Sequence, residues 1–192
     1  MLAIGDSIID GVGVPHISDS FAVQFAAALA ARTGRRVCWR VEGRSGRNIE
    51  GLLSLLAAMD PPPPADLVLV SVGVNDVTGL STTRRWRRNV ERLLQQLERH
   101  WPRARLLFAG LPQMEHFPLP PQPLRFCLGL RARALDRLAA HALAPKPNAL
   151  HVPTRINPRV HAFCEDGFHP SAETCRLWAT ELAAIESGSE SP

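Results

Sequence analysis

The sequence predicts an α/β fold, a three-layer α/β/α sandwich built on a five-stranded parallel sheet. Two observations point to it. Short apolar runs alternate with longer amphipathic stretches, the pattern of parallel strands joined by crossover helices. Clusters of glycine with Ser, Asn, Asp or His recur just beyond those runs, where open α/β sheets bind ligands. With 192 residues, 45% hydrophobic and 21% charged, the chain reads as one domain over residues 1–186 with a polar tail over 187–192. A domain of this size buries roughly 70% of the surface its unfolded chain exposes, so it needs no metal or disulfide staple.

The expected strands are Leu2 to Ile4, Arg36 to Val41, Asp66 to Gly73, Ala104 to Gly110 and Ala149 to Val152. Helical periodicity covers Ser20 to Arg32, Ile49 to Met59, Thr83 to Trp101, Arg125 to Ala142 and Ser171 to Ile185. Right-handed crossovers between these strands give a doubly wound sheet. Two connections stand out. Asp60-Pro61-Pro62-Pro63-Pro64 is a stiff extended link without chemistry of its own. Leu111 to Leu124 leaves the fourth strand at the active edge, carrying Met114, Phe117 and Leu119 in a proline-rich segment long enough to be functional.

Composition excludes several functions. The formal charge of +4 comes from scattered arginines, Lys146 being the only lysine. The one knot, Arg84, Arg85, Arg87, Arg88 and Arg92, reads as the solvated face of a helix whose apolar face is Trp86, Val90, Leu93, Leu94 and Leu97. No tyrosine and no stacking platform accompany it, so a nucleic-acid partner is not expected. Cys38, Cys127, Cys164 and Cys175 lack metal or redox spacing and read as free thiols, although Cys164 and Cys175 could pair in an exported protein. No run of eighteen apolar residues spans a bilayer, and no leader pattern appears. A cytoplasmic location is expected, with the short first strand leaving room for a longer native start.

Three clusters carry the chemistry. Gly5-Asp6-Ser7 turns sharply out of the first strand and presents the Ser7 hydroxyl, and its own N–H, at the sheet edge. Taken singly, Ser7 reads as a helix N-cap. Its partners make it a nucleophile. Asp166-Gly167-Phe168-His169-Pro170 is a turn on which the carboxylate can reach back to the imidazole Nδ1–H and leave Nε2 free to take the serine proton. Asn75, just after Gly73 at the end of a buried strand, can donate its amide into the same crevice, and Gly46 of Arg44-Ser45-Gly46 can add a backbone N–H. Simple turn chemistry competes at both places, and one turn can serve both purposes. His100, His141, His151 and His161 read as bland, whereas His16 and His116 lie on loops near the mouth as candidate substrate contacts.

The four segments Gly5-Asp6-Ser7, Ser45-Gly46, Gly73-Val74-Asn75-Asp76 and Asp166-Gly167-Phe168-His169 resemble the blocks of the SGNH hydrolase superfamily, the GDSL-type esterases and lipases. That resemblance spans nearly the whole chain. It implies a flavodoxin-like five-stranded sheet and a Ser7, Asp166, His169 triad. It also implies an oxyanion hole of Ser7, Gly46 and Asn75, with Gly43 a minor alternative to Gly46.

The expected function is a serine esterase or thioesterase working through an acyl-enzyme on Ser7, without metal or organic cofactor. The substrate is a small-molecule acyl ester or thioester. The apolar loop with Met114, Phe117 and Leu119 favours a fatty acyl chain, by analogy with the thioesterase and lysophospholipase branch of the superfamily. A carbohydrate O-acetylesterase is the alternative, and a non-catalytic binding module on the same fold a second one. A conventional α/β-hydrolase is excluded because no Gly-x-Ser-x-Gly elbow occurs.

Overall fold

The computed structural model describes residues 1–156 and 161–188. Five strands form one parallel sheet in the order β2-β1-β3-β4-β5: β1 Leu2–Gly5, β2 Arg40–Glu42, β3 Leu67–Ser71, β4 Arg105–Ala109 and β5 Ala149–Val152. Because β1 and β3 are neighbours while β2 lies outside them, the winding reverses at β1 and β3, and a crevice opens beyond their carboxyl ends. The register sets Gly5 beside Ser71 and Ser71 beside Ala109, so the three central strands end level. β3 and β4 are near-continuous apolar runs because helices cover both faces of the sheet.

Among the described residues seven helices surround it: α1 Ser7–Asp10, α2 Phe21–Thr33, α3 Ile49–Ala57, α4 Val74–Thr78, α5 Thr83–His100, α6 Leu124–Leu143 and α7 Ala172–Gly188. α2 packs on α7 in one layer, where Phe21 and Trp178 meet edge to face at 6.1 Å. α3, α5 and α6 pack in succession in the other. α5 starts where the Thr82 hydroxyl accepts the Arg85 N–H at 3.2 Å, and its apolar stripe from Trp86 to Leu97 is buried. The Trp86 indole donates to the Leu135 carbonyl at 2.8 Å, which fixes α5 against α6. Arg84, Arg85, Arg87, Arg88 and Arg92 are exposed along the opposite face.

Three features depart from the expected elements. β2 is only three residues long rather than running from Arg36, and Arg35 and Arg36 stand in solvent. α1 and α4 are short helices where turns were expected. α7 continues to Gly188, past the expected start of the polar tail, and residues 189–192 of that tail lie outside the described residues. All four cysteines are free, and the Cys164 thiol donates instead to the carbonyls of Gly13 and Pro170. Among the described residues, no helix is long and apolar enough to cross a membrane.

Candidate active site

Ser7 is the first residue of α1, directly beyond β1. The Asp6 N–H donates to the Ser71 carbonyl at 3.1 Å, which ties the turn to β3, and the Asp6 carboxylate caps α1 by accepting the Ile8 N–H at 3.1 Å. First-turn amides of a helix have no acceptor within the helix, so the Ser7 N–H is available to a ligand. Asp6 is almost wholly buried beneath this turn. Burial pushes its carboxyl up to about 7, against the hydrogen bond from Ile8 and the Arg47 charge, with Asp76 adding to the rise.

His169 is held by a tight turn. The Cys164 N–H donates to the His169 carbonyl at 2.9 Å, and Phe163 and Pro170 form a β-bridge across the turn's base. Asp166 Oδ1 accepts the backbone N–H groups of Phe168 and His169, each at 2.9 Å, while Oδ2 stands 2.5 Å from His169 Nδ1. A carboxylate can only accept, so the proton of neutral imidazole sits on Nδ1 and Nε2 is left as an acceptor. Partial burial of Asp166 acts to raise its pKa but is outweighed by bonds from the His169 ring and the two backbone amides, which leave it below the usual carboxylate range.

Asn75 lies in the first turn of α4. Gly73 makes the entry possible with φ at +136°, where a Cβ would stand 2.9 Å from the Trp86 ring. One N–H of the Asn75 amide donates to the Arg47 carbonyl at 3.0 Å, which fixes the amide plane and leaves the second N–H to point elsewhere. Next to it, the buried Asp76 bonds to the Ile49 N–H at 2.9 Å and to the Ser81 hydroxyl at 3.0 Å. Desolvation raises its pKa against both bonds.

The two glycine candidates separate clearly. Gly46 sits at an exposed left-handed turn with φ at +75°, and a Cβ there would meet nothing within 4 Å. Gly43 is pressed against α1, where a Cβ would stand 2.2 Å from the Asp10 backbone nitrogen. Close packing accounts for Gly43. Gly46 is the one whose turn faces open space.

Ser7 and His169 open onto one narrow cleft that is partly open to solvent. Its remaining walls are almost entirely apolar, with Ile8, Val74, Pro112, Phe117, Phe163 and Phe168 most prominent and Trp178 contributed by α7. The three phenylalanine rings pack edge to face, Phe117 lying 4.8 Å from Phe163 and 5.2 Å from Phe168, and Phe168 contacts the His169 ring at 5.5 Å. Of the three loop residues expected to bind substrate, Phe117 alone lines this cavity. Met114 is 0% exposed in the core, in a 3₁₀ turn over Met114–His116 that packs on α6, and Leu119 is 62% exposed. His16 and His116 are exposed, and neither lines the cavity. The walls from Phe163, Phe168, Ile156 and Trp178 were not anticipated from sequence; the one local signal is an aromatic residue directly before His169. His151 does more than fill space, since its Nε2 lies 2.7 Å from Asp136 Oδ1, which also accepts the Leu111 N–H at 2.8 Å. Among the described residues, no group of three or more His, Cys, Asp or Glu is placed to hold a metal ion.

A short helix thus opens on Ser7 after β1, the Asn75 amide lies beyond β3, and Asp166 and His169 form a pair before the last helix. Residues 3–177 match the GDSL-like lipase/acylhydrolase family, and the chain belongs to it. It is 26% identical over 193 residues to the GDSL-like esterase Rv1075c of Mycobacterium tuberculosis, a match covering 95% of this chain and 60% of that protein. The chain thus spans about three fifths of that curated relative's length. The lipase Lip_vut3 from a goat rumen metagenome shares its fold with a TM-score of 0.75 at 17% identity, over 95% of both chains. Est24, a carbohydrate acetylesterase from Sinorhizobium meliloti, does so with a TM-score of 0.73 at 18% identity, over 97% of both.

Proposed function

We propose that this protein is a serine esterase that hydrolyses acyl esters or thioesters through an acyl-enzyme on Ser7. The observation that carries the reading is that Ser7 and His169 share one apolar cavity while Asp166 grips the far side of the imidazole. Ser7 Oγ attacks the acyl carbonyl as His169 Nε2 takes its proton. The oxyanion is received by the N–H groups of Ser7 and Gly46 and the free N–H of Asn75. The tetrahedral intermediate then collapses, and the alcohol or thiol leaves with the proton from His169. Water then attacks the acyl-enzyme carbonyl as its proton passes to His169, and collapse of the second tetrahedral intermediate releases the acid while His169 returns the proton to Ser7 Oγ. No step calls for a metal or an organic cofactor.

The apolar walls favour an acyl chain longer than acetyl. A lysophospholipid or fatty acyl thioester meets that description, and the protein is expected to act on it from solution without inserting in a membrane. A polar acetylated sugar would find few partners among Phe117, Phe163 and Phe168, although its acetyl group alone would fit. Rates on acetyl and octanoyl p-nitrophenyl esters, measured for the native chain and Phe117→Ala, test the reading. Each buried CH₂ is worth about 0.8 kcal/mol, so the variant is expected to lose octanoyl activity far more than acetyl activity. An unchanged ratio would remove the long-chain reading and favour an acetylesterase.

A further inference from the structure

Arg47 joins the Gly46 turn to the sheet through its side chain and to Asn75 through its backbone carbonyl. It follows Gly46 directly, and its guanidinium reaches back under the turn, Nη1 donating to the Gly5 carbonyl at 2.9 Å and to the Glu42 carbonyl at 2.6 Å. Those carbonyls belong to the ends of β1 and β2, the two strands that flank the turn. The Gly5 carbonyl also accepts the Arg44 N–H at 3.3 Å, so the start and the end of the turn converge on one atom next to Asp6-Ser7. In the other direction, the Arg47 carbonyl is the acceptor that holds the Asn75 amide at 3.0 Å.

We infer that Arg47 is a positioning residue for the oxyanion hole, fixing the Gly46 turn to the carboxyl edge of the sheet and, through its own carbonyl, the orientation of Asn75. One guanidinium nitrogen, Nη1, donates to both carbonyls, and the planar fork holds that nitrogen in a fixed orientation that a freely rotating ammonium lacks. Burial lowers the Arg47 pKa, and the acidic neighbours Glu42, Asp10 and Asp6 favour its charge while Arg44 opposes it. It touches no reacting atom. Without the guanidinium the Gly46 turn loses its tie to the Gly5 and Glu42 carbonyls, and Asn75 is disturbed only as the turn that carries the Arg47 carbonyl shifts.

This inference rests on the esterase reading for its kinetic consequence, but its geometric content can be tested alone. Crystal structures of the native chain, Arg47→Ala and Arg47→Lys would show whether the Gly46 turn and the Asn75 amide shift. Displacement of both in Arg47→Ala is the expected result, and an undisturbed turn and amide in a folded Arg47→Ala would overturn the inference whatever the protein hydrolyses. In the kinetic arm, Arg47→Ala is expected to lower kcat by about tenfold or more with KM within about twofold, since oxyanion donors act mainly in the transition state. Arg47→Lys is expected to recover part of that loss. Combined with Asn75→Ala, the Arg47 change should cost less than it does alone, because part of its effect runs through that amide. Independent, fully multiplicative losses, or a loss confined to thermal stability, would contradict the inference. A native chain that hydrolyses no ester or thioester would instead refute the esterase reading and leave the crystallographic arm to decide.

Discussion

Asp6 and Asn75 are the side chains whose surroundings make the sharpest demands. Asp6 is buried with its pKa pushed up to about 7 from 3.8. Between those values the folded state holds a proton that the unfolded chain releases, so stability is greatest at the acid end, falls as pH rises through the window and levels above about 7. The slope contributed is at most about 1.4 kcal/mol per pH unit. Asp6→Asn keeps the acceptor for the Ile8 N–H and removes the titration. Its melting temperature is expected to vary less between pH 5 and 7 than that of the native chain, and equal slopes in thermal melts would contradict the account. Asn75→Ala removes the proposed oxyanion donor. It should lower kcat on the order of 10²-fold and leave KM nearly unchanged, as for other side-chain donors of this kind. Steady-state kinetics on a short-chain ester would show it, and an unaltered kcat would make Asn75 a turn residue only.

The loop from Cys164 to Pro170 acts as one element, because Asp166 bonds both to the imidazole and to the backbone that carries it. Asp166→Asn and His169→Ala should therefore each cost heavily, and the double change little more than the worse single one. Additive losses in kcat/KM would show that His169 has another role. This turn was legible in the sequence because Asp, Gly, His and Pro at these spacings leave the backbone few alternatives. α1 and α4 were not legible, since helices of four and five residues are too short to show a 3.6-residue period. The loop over Leu111 to Leu124 was legible only in part. Its apolar residues were evident, but a 3₁₀ turn buries Met114 and leaves Leu119 in solvent, and that distribution depends on packing against α6.

At the level of the whole molecule, the doubly wound sheet brings Ser7, Asn75 and His169, spread over most of the chain, to one edge. The doubly wound parallel sheet followed from alternation of apolar runs and helices together with the handedness of crossovers, whereas the strand order came only with the structure. The cavity could not be read that way, because Phe117, Phe163 and Trp178 meet Ile8 and Val74 only after the layers have packed. Five converging segments thus surround a single proposed nucleophile, and the central claim is that His169 makes Ser7 reactive within them. Treatment with a fluorophosphonate, followed by peptide mass spectrometry, tests that claim most directly. The account predicts one phosphonylated peptide, containing Ser7, with labelling abolished in Ser7→Ala and strongly slowed in His169→Ala. Labelling that persists in Ser7→Ala, or that maps to Ser45, would contradict it.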